Sequence, residues 1–240
     1  QKELVDCYKQ QGDCYFWGEG IREDKQEAVK WYRLAAEQGD AEAQRILGAC
    51  YYFGTGIRED KQEAVKWYRL AADQGDAEAQ WRLGNCYFWG EGIREDKQEA
   101  VKWYRLAADQ GDAEAQKELV DCYKQQGDCY FWGAGIREDK QEAVKWFRLA
   151  AEQEDAEAQW MLGDCYFFGH GVGKNKREAV NWYFLSAKKG NAEAQRRLGA
   201  CFYFGHGVAK NRQEAIRWYR LAAEQGNSVA ISMLKKLGVM

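Results

Sequence analysis

The chain has 240 residues with no proline, 11 Trp, 14 Tyr and 10 Phe, and 46% of it is apolar, ample material for a continuous core. Its charges are mixed and sum to −3, which excludes the strongly basic footprint of a nucleic-acid or anionic-membrane binder. No apolar run approaches the ~18 residues of a membrane span.

Read from the start, QKELVDCYKQQGDCYFWGEG at 1–20 begins with Gln1 and has no signal-like segment, so either a leader was removed or the chain is an excised fragment. The stretch returns at 116–135 as QKELVDCYKQQGDCYFWGAG, preceded there by the helix start DAEA, which places Gln1 inside a helix and predicts further repeats before it. From Asp40 a 36-residue unit is written repeatedly, with near-copies from Asp76, Asp112, Asp155 and Asn191 and a degenerate one from Asn227. Such a period marks a solenoid, in which each unit buries its apolar face against its neighbours. The expected organisation is one all-α solenoid domain over 1–240. Its repeats are 1–39, 40–75, 76–111, 112–154, 155–190 and 191–226, closed by a capping helix at 227–240.

Residues 40–75 show how one repeat is built. Asp40 precedes AEAQRILGACYYF, in which Ala43, Leu47 and Tyr51 fall four apart on one helical face. Gly48, beside Leu47, lets a neighbouring helix come close. Gly54 and Gly56 suit positive φ in a tight turn. Asp60 and Glu63 form a capping-box pattern before KQEAVKWYRLAADQ, whose apolar face carries Ala64, Trp67, Tyr68, Ala71 and Ala72. Gly75 is placed to end that helix, and Asp76 to cap the next. Helices this short need packing for stability.

The pattern Leu47-Gly48, Tyr51, Gly54-x-Gly56, Ala64, Trp67-Tyr68, Ala71-Ala72 and Gly75, repeated in later copies, resembles the Sel1-like repeat family, a relative of the tetratricopeptide repeats. The resemblance covers nearly the whole chain. It implies an α/α right-handed superhelix with the first helix of each pair on the concave side, an adaptor role in protein–protein interaction, and no shared catalytic residues.

Two irregularities stand out. Asp112 and Asp155 are 43 apart, seven residues more than the period. Seven residues turn a helix by about 700°, which keeps the apolar face in phase. The insertion therefore reads either as a helix extended by two turns or as a break at KQQGD, and Gln126 falls where leucine is usual. Residues 1–44 and 116–159 differ only at Glu19/Ala134, Tyr32/Phe147 and Gly39/Glu154, the last predicting a mildly strained or differently built turn.

Chemistry is thin. Cysteine recurs once per repeat, with doubled Cys7/Cys14 and Cys122/Cys129, at spacings that bring no two within disulfide reach. Free, semi-buried thiols are expected, favouring a reducing compartment such as the cytoplasm, with an exported form left open. His170 and His206 sit in FGHG turns and read as turn residues; no metal, cofactor or catalytic group is expected. The acidic residues recur at cap positions. The residues that vary on a constant frame are the candidate site: Arg45, Trp81, Lys117, Trp160 and Arg196, and one turn on Asn85, Asp121 (or Asp128) and Asp164. Trp and Arg dominate interface energetics, so these are expected to contact a protein or peptide ligand, with Asn85, Asp121 and Asp164 supplying hydrogen bonds. The tryptophans read equally well as packing between neighbouring first helices, and Trp17, Trp89 and Trp132 as turn-flanking packing. A structural or designed repeat protein that self-associates, through its uncapped N-terminus or an extended helix at 117–133, is the alternative. Capture of a glycan or cell-wall fragment comes third.

Overall fold

The computed structural model describes residues 2–134 and 137–239, and all regular structure among them is helical. The chain forms two compact units, Gln1–Leu119 and Val120–Met240. The first holds α1 (Lys2–Trp17), α2 (Lys25–Glu37), α3 (Ala41–Phe53), α4 (Lys61–Asp73), α5 (Ala77–Trp89), α6 (Lys97–Asp109) and the opening turns of α7 (Ala113–Trp132). The second holds the rest of α7, then α8 (Lys140–Glu152), α9 (Ala156–Phe168), α10 (Lys176–Lys188), α11 (Ala192–Phe204), α12 (Arg212–Glu224) and α13 (Ser228–Lys236). Odd-numbered helices are the first, or A, helices of each pair; even-numbered ones are the B helices. A helices pack on their own B helices, as α1 on α2, α3 on α4, α5 on α6, α9 on α10 and α11 on α12, and B helices pack on the next A helix, as α2 on α3, α4 on α5, α8 on α9, α10 on α11 and α12 on α13.

Cap chemistry sets the helix bounds. Asp40 and Asp76 accept the Ala43 and Ala79 N–H groups at the A-helix starts, and Asp60 accepts the Glu63 N–H at 3.0 Å. The predicted capping box forms on one side only. The Asp60 N–H is already donated to the Tyr51 carbonyl at 2.9 Å, and the Glu63 carboxylate turns to Lys66. At the end of α4, Gly75 (φ +92°) donates to the Ala72 carbonyl and Asp76 to the Ala71 carbonyl, a Schellman ending.

A close approach of helices makes the core. Leu47, Tyr68, Ala64 and Ala71 are buried, as are their counterparts Leu83, Tyr104, Ala100 and Ala107. A Cβ built on Gly48 would stand 2.7 Å from the Tyr68 ring, and one on Gly84 2.6 Å from the Tyr104 ring. The glycine of each Leu-Gly pair therefore lets the B-helix aromatic ring lie flat against the A helix. In the turn, a Cβ on Gly56 would fall 2.0 Å from the Lys25 carbonyl, so this glycine seats each turn on the start of the previous B helix. Val65 is buried where the sequence reading had placed Trp67, which is half-exposed with its indole N–H enclosed.

Neighbouring repeats are also stapled by a polar contact that periodicity does not reveal. Gln44 is buried; its amide donates to the Ala36 carbonyl and accepts from Gln74 at 2.7 Å, and Gln80 is held likewise by Ala72 and Gln110. In the second unit Gln195 has the same partners in Ala187 and Gln225. Gln159 differs. Lys189 stands where the donor glutamine would be and pairs instead with Glu154 at 2.7 Å, leaving the Gln159 Oε1 buried without a partner.

The seven-residue insertion extends the A helix. α7 is one helix of 20 residues against 13 in α3 and α5, with KQQGD helical throughout. Gly127 meets the Phe147 ring as Gly48 meets Tyr68, and Gln126 lies half-buried at the leucine position. Glu154 keeps the turn geometry of the glycines it replaces, at φ +64°, the one non-glycine residue with positive φ among those described.

Candidate functional site

The A helices end in a large residue just before the terminal glycine, and this residue faces water. Trp17 is 68% exposed, Phe53 62% and Trp89 65% in the first unit; in the second, Trp132 is 70% exposed, and Phe168 and Phe204 about half. The turn-packing role read from the sequence for Trp17, Trp89 and Trp132 is thus only partly met. Trp89 touches the Phe88 ring edge-on at 4.7 Å, yet most of its surface is open.

Each unit has a hollow beside one or more of these residues. In the first unit Tyr52, Asn85, Trp89, Glu91 and Glu118 line one. Its acid is held: Glu91 accepts from Tyr52 and pairs with Lys61 at 2.7 Å, and Lys61, then the Tyr52 hydroxyl, hold its carboxyl below the ordinary range against the opposing effect of burial. In the second unit a concavity of about 300 Å³ lies among Phe131, Trp132, Phe147, Trp160, Met161 and Phe168, with Asp164 and His170 at its edge. His170 stacks on Phe168 at 5.6 Å, and His206 repeats this on Phe204 at 5.7 Å.

The sequence-predicted residues divide between these hollows and the frame. Asn85 lines the first hollow, and Trp160 and Asp164 the second. Asn85 also accepts the Tyr104 hydroxyl at 2.6 Å, and Asp164 accepts the Tyr183 hydroxyl at 2.5 Å and pairs with Arg197 at 2.7 Å. Trp160 packs against the core that contains Tyr183, Leu198 and Trp218. Trp81 has its indole N–H enclosed and the Arg82 guanidinium 5.2 Å from its ring. Arg45 bridges to the next A helix, 2.7 Å from Glu78 and 3.4 Å from the cap Asp76. Arg196 is held by Glu193 at 2.8 Å, and Asp121 by Lys124 at 3.2 Å. Lys117 is exposed. Lys124, one insertion length further along, takes the part of Arg45 in the second unit, reaching Asp155 at 3.3 Å and Glu157 at 3.4 Å.

The variable polar position directly after the Leu-Gly pair thus faces the B-helix ring. Tyr32, Tyr104 and Tyr183 find Asp13, Asn85 and Asp164, whereas Tyr68 and Tyr219 stand opposite Ala49 and Ala200. The spacing of 19 between partners was visible in the sequence, but it links two helices of opposite direction and becomes meaningful only once their packing is known.

Tandem helix pairs with a glycine–ring contact define an α/α solenoid repeat protein. The Sel1 repeat model matches residues 12–40, 41–76, 77–112, 127–155, 156–191 and 192–227. The chain belongs to the Sel1 repeat family. It is similar to a protective antigen present in uropathogenic Escherichia coli strains that displays an SLR fold, at 38% identity and a TM-score of 0.63. That match covers 95% of this chain and 48% of the antigen, so the chain spans about half of its length. A Sel1 repeat protein from Oxalobacter formigenes is 36% identical over 91% of this chain and 84% of its own, with a TM-score of 0.47. The Helicobacter pylori cysteine-rich protein B is 24% identical over 58% of this chain and 96% of its own, with a TM-score of 0.41. No curated protein matches by sequence. Sel1 repeat proteins are generally non-enzymatic scaffolds that bind protein partners. Among the described residues no helix is long and apolar enough to cross a membrane.

Proposed function

We propose that this chain is a non-enzymatic interaction module that holds an extended or helical segment of a partner protein against the C-terminal turns of its A helices. The observation that carries this reading is the recurring exposed aromatic residue beside a hollow, Trp89 in the first unit and Trp132 and Phe168 in the second. Exposed tryptophan and phenylalanine rings on a rigid frame lose little conformational freedom on binding and bury much apolar area. Of the residues expected from the sequence, Asn85, Trp160 and Asp164 border the hollows, while Arg45, Trp81, Asp121 and Arg196 serve the frame around them. Lys117 stays exposed and borders neither hollow.

The test is selection from a random peptide library on the full chain, followed by affinity measurements with Trp89→Ala and with Trp132→Ala/Phe168→Ala. These side chains are solvent-exposed, so the variants keep the fold. Selected peptides should lose about tenfold or more in affinity to at least one variant. Peptides that bind parent and variants alike would refute the reading. A mass that grows with concentration, and stops growing in the variants, would assign the face to a second copy of the chain instead.

A further inference from the structure

The chain contains its own control experiment. Residues 1–44 and 116–159 are near-identical, yet Tyr32 in the first copy is Phe147 in the second. Asp13 accepts the Tyr32 hydroxyl at 2.8 Å. Asn85 and Asp164 accept their B-helix tyrosines in the same way. Asp128 occupies this place on α7 opposite Phe147, which has no hydroxyl to give. A half-buried carboxylate is left without a hydrogen bond or close ion pair among the described residues. Burial, and then Glu157, hold the Asp128 carboxyl above the usual carboxylate range, with Lys124 opposing.

Phe147 also lines the second-unit hollow, and Trp132, four residues after Asp128, stands on the same face of α7. The charges nearby are unequal. Asp121, Asp155 and Glu157 share Lys124, and Asp164 has Arg197. The rings here take cations on their faces: Lys140 lies 5.4 Å from the Phe131 centroid and Arg197 5.1 Å from that of Phe168. Each of these two cations has its own carboxylate, Glu138 and Asp164. No cation lies over Trp132 among the described residues. The acid of the equivalent first-copy turn, Glu19, is Ala134 here.

We propose that the face of α7 beside this hollow, where Asp128 and Trp132 stand one turn apart, seats the lysine or arginine side chain of a partner polypeptide, with Asp128 as its counter-ion and Trp132 as the ring its stem lies against. The inference rests on the reading that the A-helix face docks a protein segment, and adds which side chain anchors it. Charge assistance and the indole face act together on a group that has to leave water only partly.

The test follows the Trp132 and Trp160 indole resonances of the full chain while Nα-acetyl-lysine methylamide is added, with Nα-acetyl-norleucine methylamide as the uncharged control. Phe147→Tyr and Asp128→Asn are compared with the parent. Both variants restore residues found at equivalent places, Tyr183 and Asn85, so both keep the fold. The lysine derivative should bind about fivefold more tightly than the norleucine one in the parent, and about equally in both variants. Equal binding of the two probes to the parent would overturn the cationic anchor while leaving the docking face intact. Failure of both probes to move either indole would also overturn the anchor. Loss of the docking reading shows separately, as library peptides indifferent to Trp132→Ala/Phe168→Ala.

Discussion

Asp128 shows how one missing atom changes a site. Its counterpart Asp13 is satisfied by the Tyr32 hydroxyl at 2.8 Å, and Phe147 withdraws that donor. Because folding raises the Asp128 pKa above its ordinary 3.8, the native state binds its proton more tightly than the unfolded chain does. The stability this brings is full below the ordinary value and is lost as pH rises through the raised one. Asp128→Asn should therefore gain stability over the parent at neutral pH and little at pH near 3, in paired urea melts. A gain that does not change with pH would contradict this. Glu154 is a second residue-scale case. Its left-handed backbone suits glycine, and its ion pair with Lys189 is exposed and weak. Glu154→Gly should raise the melting midpoint by about 2–4 °C in a thermal scan. The sequence showed both oddities as differences between two copies. It could not show which atom each difference would strand, since that depends on a partner 19 or 35 residues away.

At the scale of the helix pair, stability depends on how closely two backbones approach. The Leu-Gly pair, the B-helix tyrosine and the two turn glycines were legible as a pattern, and the structure assigns each a contact. Gly84 faces the Tyr104 ring, which is fully buried. Gly84→Val should destabilise the first unit by about 2–3 kcal/mol, read as a shifted denaturation midpoint, because a packed ring has nowhere to retreat. A loss below a few tenths of a kcal/mol would mean the pair can slide apart at little cost. Other pair-level features were not legible. The Gln44–Gln74 staple joins polar residues that periodicity assigns to no face, and the half-formed capping box reflects competition for the Asp60 N–H by the Tyr51 carbonyl. The seven-residue insertion left two readings open in sequence, and packing of Gly127 on Phe147 favours the continuous helix.

At the scale of the molecule, the chain forms two compact units, each with buried apolar residues. In repeat proteins stability is shared mainly between neighbours. The buried thiols report on this: burial pushes Cys50 up to about 11 and Cys86, Cys165 and Cys201 up to about 12. Cys7 is exposed. Brief alkylation at mildly alkaline pH should label Cys7 and spare these four, since neither access nor thiolate is available to them. Gly163→Val should expose Cys165 to labelling, measured by peptide mass spectrometry, while Cys50 and Cys86 stay protected. Equal labelling in both units would show that they open together.

The sequence by itself determined the repeat, the helix pairs, their caps and the family, because each rests on local spacing that survives in one dimension. Tertiary structure decided which variable residues are free to meet a partner. Asn85 and Asp164 looked open on a helical wheel but face tyrosine hydroxyls, and Arg45 is spent on the next helix cap. Trp132 looked like turn filler and is 70% exposed. A side chain's neighbours across a helix interface come from residues that spacing along one helix cannot reach, so its availability is a property of the packed pair.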